Sequence, residues 1–190
     1  MPPGSIGVEV RGELTKKAID RLMKEIARHA PGGRSYRVFF VGGGTAVISG
    51  WRGSTIDADL HADDESVLRD IQAIKERLQV NVELARPEDF VPAIAGTRSR
   101  HVFIETIGRV SFYHYDPYAQ LLSKVVRGFR KDMLDAESFI ASGLVEPARF
   151  RSLVHEIPET AYARYPALSH RAVLEAVDDS LAQLNDNPSG

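Results

Sequence analysis

Apolar residues recur at helical spacing at Ala18, Ile19, Leu22, Met23 and Ile26, which predicts an amphipathic helix. Thr15 is its N-cap and Pro31-Gly32-Gly33 its stop. A β-type run, Tyr36–Val41, follows and breaks at Gly42-Gly43-Gly44. A short helix-compatible segment from Thr45 to Trp51 and a turn at Arg52-Gly53 lead to a second strand, 54–60. Alternation there puts Ile56, Ala58 and Leu60 on one face and Asp57 and Asp59 on the other. Asp63 and Asp64 can cap a helix whose stripe is Val67, Leu68, Ile71, Ile74 and Leu78, and 80–84 alternates as a strand.

Residues 87–100 read as a long loop pinned to the core by Phe90, Val91 and Ile94, with Arg98 and Arg100 left to solvent or an anion. Two alternating runs, 101–106 and 109–115, predict a hairpin turning near Gly108. Asp116-Pro117 starts a helix with Asp at N-cap and Pro at N1. That helix sends Leu121, Leu122, Val125 and Val126 inward, with Ser123, Lys124 and Arg127 towards its other side. Three more helices follow: from Lys131 to near Gly143, from Pro147 through Ile157, and from Leu168 to Leu184, the last carrying Val173, Leu174, Val177 and Leu181 as its stripe. Residues 1–11 and 185–190 read as loose ends. The order predicts an α+β fold: a mixed-sheet core over 1–115, then a helical part over 116–190.

Composition narrows this little. In 190 residues, 43% hydrophobic and 26% charged content fits a globular chain, and a net charge of −2 lends no general support to a nucleic-acid partner. Lys124, Arg127, Arg130 and Lys131 form one local basic cluster. With no cysteine, disulfides and thiolate chemistry are excluded. The amino-terminal stretch has no apolar signal core and no run is long enough to span a membrane, so a cytoplasmic location is expected. The six histidines show no metal-ligand spacing.

Chemistry concentrates between Val41 and Leu60. Two carboxylates on one strand face repel each other, and a divalent cation neutralises them. All-oxygen ligation of this kind suits Mg²⁺, which takes one or two carboxylates and completes its shell with substrate phosphates. The glycines ahead let backbone approach a phosphate at a helix start. They fail the stricter phosphate-loop patterns: a dinucleotide fingerprint from Gly42 meets Val47 where glycine is required, and no Gly-Lys-Ser/Thr follows. Taken alone, the glycines describe a tight turn and the acids an exposed edge strand.

Together, Gly43-Gly44 and Asp57-Ala58-Asp59 resemble the signature of the DNA polymerase β type nucleotidyltransferases. The wording is closer to one branch, the AbiEii and MenT type toxins of bacterial toxin–antitoxin pairs: Gly43-Gly44-Thr45-Ala46, then Arg52, then Thr55-Ile56-Asp57-Ala58-Asp59. Lys124 and Arg130-Lys131-Asp132-Met133-Leu134-Asp135 match the helical Lys and the basic Asp-x-x-Asp helix of that branch. The resemblance implies the polymerase β type fold and transfer of a nucleotide from an NTP. Asp57 and Asp59 would hold Mg²⁺, with Thr55 beside them. Gly43, Gly44, Thr45 and Arg52 would serve the nucleotide, and Lys124 would neutralise phosphate. Asp132 or Asp135 would complete the site, with Glu83 or Glu105 as a third carboxylate. It further implies a cognate antitoxin and the 3′ end of tRNA as acceptor. A small-molecule (antibiotic) or protein hydroxyl as acceptor, and a non-catalytic nucleotide- or partner-binding relative, are the alternatives.

Overall fold

The computed structural model describes residues 12–186, so the two loose ends predicted at 1–11 and beyond Asp186 lie outside the described residues. Helix α1 (Lys16–His29) starts where the pattern places it, the Thr15 hydroxyl accepting from the Ala18 amide at 3.3 Å. Its stripe of Ile19, Leu22, Met23 and Ile26 is buried. Each such side chain contributes about 1.5–3 kcal/mol of apolar burial. They pack on the inner face of a mixed five-stranded sheet, against Val38, Phe40, Ala58 and Leu60.

That sheet contains β2 (Tyr36–Val41), β4 (Asp57–Ala62), β5 (Asn81–Leu84), β6 (Val102–Ile107) and β7 (Val110–His114), in the order β5-β4-β2-β7-β6. β2 runs antiparallel to β4 and parallel to β7, β4 runs parallel to β5, and β6 and β7 form the predicted hairpin. The chain is thus α+β with a mixed sheet. Helix α3 (Ile71–Leu78) adds Ile74 to the layer formed by α1.

Three expectations are corrected. The strand predicted over 54–60 is two: β3 (Ser54–Thr55) pairs with β1 (Leu14–Thr15) in a small separate sheet, and only β4 joins the large one. Between them the chain changes direction, the Thr55 hydroxyl donating to the Asp57 carbonyl at 3.1 Å, so Ile56 is 68% exposed and does not share the inner face with Ala58 and Leu60. The helix capped by Asp64 is likewise broken. A 3₁₀ turn (Glu65–Leu68) precedes α3. Finally, Arg100 is not left to solvent: it donates to both carboxylate oxygens of buried Asp116, at 2.6 and 3.1 Å.

The outer sheet face carries Phe39 and Val41, and α4 (Pro117–Arg127) lies against it through Ala119. Asp116 caps α4 by accepting from the Tyr118 amide at 3.0 Å. The other side of α4 presents Leu121, Leu122 and Val125 to a second apolar cluster. This is shared with α5 (Arg130–Ala141), α6 (Pro147–His155) and α7 (His170–Asp186), and includes Phe139, Phe150, Val154, Val173 and Val177. Among the described residues no helix is long and apolar enough to cross a membrane.

Candidate active site

β4 is not an edge strand. It lies between β2 and β5, so its outward acids sit over the sheet and under α4. Ala58 and Leu60 point into the core while Asp57 and Asp59 are half-buried on the opposite face, as a period of two requires. Burial, and then the carboxylates of Asp57 and Glu83, push Asp59 up to about 6. The Glu83 charge is there because β5 pairs with β4 at Asp59. Glu105 is on β6, at the far edge of the sheet with β2 and β7 intervening, so of the two candidate third carboxylates only Glu83 adjoins the pair.

Opposite the acids stands Lys124, 6% exposed, so it is no solvated helix lysine. Its Nζ donates to Asp135 Oδ2 at 2.6 Å and to Asp132 Oδ1 at 3.4 Å. Asp135 also receives Arg52 as a fork, Nε on Oδ1 at 2.9 Å and Nη2 on Oδ2 at 2.6 Å, the geometry that favours Arg with carboxylates. The interval from Lys124 to the acids is bridged by Gly128 and a new helix, which folds Asp132 and Asp135 back onto the lysine. Asp135 therefore clamps two cations. Asp132 faces the cavity, and its Oδ2 is buried without a hydrogen bond, with Arg127 Nε 3.3 Å away.

The glycines are required by close approach. Gly42 adopts φ +60°, and a Cβ there would come within 2.9 Å of Asp59 Oδ2. At Gly43, the first residue of α2 (Gly43–Ile48), a Cβ would overlap the Thr55 hydroxyl and lie 2.9 Å from Thr55 Cβ. Gly44 packs on the Phe40 ring. Thr45 is wholly buried. Its hydroxyl donates to the Phe40 carbonyl at 3.2 Å, so it braces the turn from behind while Gly42 and Gly43 line the cavity.

Gln120 escaped the sequence reading. Its Oε1 accepts from the Gly42 amide at 2.9 Å, and its Nε2 donates to the Tyr115 carbonyl at 2.9 Å and to the Thr45 hydroxyl at 3.2 Å. The signal was available: Gln120 is one helical turn before Lys124, hence on the same face.

These groups surround a cavity of about 220 Å³. Arg52, Thr55 and Gly43 line it together with Asp57, Asp59 and Lys124, and Arg127 and Lys131 add positive charge. Among the described residues no group of three His, Cys, Asp or Glu side chains could by itself hold a metal ion. The residues present still fit a hard divalent cation. Two adjacent carboxylates with raised mutual repulsion are the protein share of a shell that substrate phosphates and water complete.

A family described as nucleotidyltransferase of unknown function (DUF6036) matches residues 17–179. The chain belongs to this family. The match runs from α1 into α7 and so includes both the strand acids and the Lys124 helix. Membership supports transfer of a nucleotidyl group from an NTP, chemistry that generally uses divalent metal ions, and it names no acceptor. No curated protein and no solved structure matches the chain.

Proposed function

We propose that this chain moves a nucleoside monophosphate from an NTP to an acceptor hydroxyl and releases pyrophosphate, with Mg²⁺ held by Asp57 and Asp59. The observation that carries the reading is the pair of half-buried strand acids facing a buried, clamped Lys124 across one cavity. Phosphoryl-transfer chemistry needs little covalent help from protein: charge neutralisation and positioning suffice. The cation, when held by Asp57 and Asp59, would neutralise the charge that develops on the phosphates. Lys124 and Arg52, kept in place by Asp135, attract the phosphates that leave. Thr55 and Gly43 shape the cavity floor, and Gln120 fixes the Gly42 amide. The acceptor oxygen bonds to the α-phosphorus as the bond to the bridging oxygen breaks, and pyrophosphate leaves with that oxygen. Glu83, the cavity carboxylate beside Asp59 that holds no cation in this reading, takes the hydroxyl proton. In this reading 1–115 supplies the metal-binding core and 116–190 completes the site.

The motif wording extends the reading to a toxin of a toxin–antitoxin pair acting on the 3′ end of tRNA. Arg127 and Lys131 beside the cavity favour such a polyanionic acceptor over a cationic antibiotic. Incubation with Mg²⁺, each α-labelled NTP and total tRNA tests both levels. Label on tRNA supports the whole reading; label on protein moves the acceptor to a protein hydroxyl. Asp57→Ala is expected to abolish transfer while the protein remains folded, since a half-buried strand-face acid contributes little packing. Wild-type turnover in that variant would remove Asp57 from the site.

A further inference from the structure

Phe90 was expected to pin the 87–100 loop to the core, and it does not. Val91 and Ile94 do that, both buried beside Tyr118 and Leu121, whereas Phe90 is 53% exposed. The loop leaves the ring little choice. Pro87 starts a 3₁₀ turn whose carbonyl accepts from the amides of Phe90 and Val91, both at 3.0 Å. Asp89 accepts from the Arg86 amide at 2.9 Å, and the Glu88 carbonyl accepts from the Tyr165 hydroxyl at 2.6 Å. A backbone fastened on both sides thus presents an aromatic ring outward.

A single exposed aromatic needs no explanation by itself. Its place decides the matter. Of the exposed large apolar side chains among the described residues (Ile56, Leu84, Phe90, Phe103, Phe129 and Leu134), only Phe90 lines the cavity that holds Asp57, Asp59 and Lys124. With Ala85, Arg86 and Pro87 it forms one part of the wall, while Arg52, Lys124 and Lys131 supply cations elsewhere around the same space. One cavity therefore combines cations, paired acids and an apolar aromatic wall edged by a hydrogen-bond donor. A nucleoside triphosphate has the matching parts: phosphates for the cations, a metal-ion requirement that the paired acids would meet, and a flat base with polar edges.

We propose that Phe90, backed by Pro87 and edged by Arg86, is the surface on which the base of the bound NTP stacks. This rests on the nucleotidyltransferase reading above. Base–aromatic stacking is sequence-tolerant because every base has a π-face, so the contact holds any of the four bases and leaves their discrimination to edge contacts such as Arg86. Removing such a ring costs about 1–3 kcal/mol, or roughly 5- to 150-fold in affinity.

The test is calorimetric binding of each NTP, and of inorganic tripolyphosphate, in Mg²⁺ without acceptor. Wild type is compared with Phe90→Ala, Phe90→Leu and Phe90→Tyr, with thermal melts to verify folding. Phe90→Ala and Phe90→Leu are expected to weaken NTP binding at least fivefold and leave tripolyphosphate binding unchanged, and Phe90→Tyr to retain both. Equal loss of NTP and tripolyphosphate binding, or unchanged NTP binding, overturns the stack. Unchanged NTP binding with a raised acceptor KM gives the ring to an acceptor base instead. Wild-type protein that binds tripolyphosphate but gains nothing from a base also overturns it; wild-type protein that binds neither overturns the reading on which it rests.

Discussion

Replacing Asp135 by Asn tests whether the clamp behind Lys124 is structural. The wild-type carboxylate, 2% exposed, accepts from Lys124 Nζ at 2.6 Å and from Arg52 Nε and Nη2 at 2.9 and 2.6 Å. Asparagine offers one acceptor oxygen and turns an amide donor towards cations that are also donors. Breaking one partner out of a buried pair costs about 3–5 kcal/mol because the remaining charge is stranded. Here two circumstances move the cost to the lower end. Arg52 is a quarter exposed and can rehydrate, and Lys124 keeps Asp132 at 3.4 Å. The expected loss is about 3 kcal/mol, which at about 2–4 °C per kcal/mol for a chain of this size lowers the melting midpoint by about 6–12 °C. Urea unfolding gives the free energy directly, provided the slope stays constant. The Lys124→Met, Asp135→Asn double variant should cost less than the sum of the two single changes, by about 1 kcal/mol or more. A loss below about 1 kcal/mol, or additive effects, would refute the clamp.

Two further outcomes follow from the same geometry. Gly43→Ala puts a methyl group into the Thr55 hydroxyl, so we expect about 1–3 kcal/mol of destabilisation and a fall in transfer rate. Both should be partly relieved by Thr55→Gly, and a Gly43→Ala protein as stable and active as wild type would contradict the close approach. His114 is buried with its Nδ1 3.2 Å from the Thr45 hydroxyl, and burial lowers its pKa from 6.5 to about 4. The unfolded chain therefore binds the extra proton first: the stabilisation is complete above 6.5 and is lost as pH falls towards about 4. At about 1.4 kcal/mol per tenfold this amounts to about 3 kcal/mol, so urea midpoints should fall more steeply from pH 7 to pH 4.5 in wild type than in His114→Gln. Parallel slopes would show that His114 protonates freely in the folded protein.

Local chemistry determined much of this protein in the sequence itself. Thr15 and Asp116 cap the helices they were expected to cap, because capping uses a side chain and an amide two or three residues on. The alternation that sends Ala58 and Leu60 inward and Asp57 and Asp59 outward depends only on strand period. The order of strands and helices likewise led to an α+β chain with a mixed sheet. What needed tertiary structure was every relation across long separations. Whether β4 was an edge or an inner strand depended on β5 pairing to it, which also put Glu83 beside Asp59 and left Glu105 at the opposite edge. The break at Ile56 came from a competing partner, β1, forty residues upstream in Leu14–Thr15, drawing Thr55 into a different sheet. The helical pattern put Lys124 only on the side of α4 away from its apolar stripe; its burial came from α5 folding Asp132 and Asp135 onto it, since burial of a charge is decided by what lies opposite. Phe90 could not be placed by hydrophobicity, because Val91 and Ile94 satisfy the loop's anchoring and the ring is left half-exposed on the cavity wall. Periodicity specifies which face a residue takes; only the packing of distant segments specifies what that face meets.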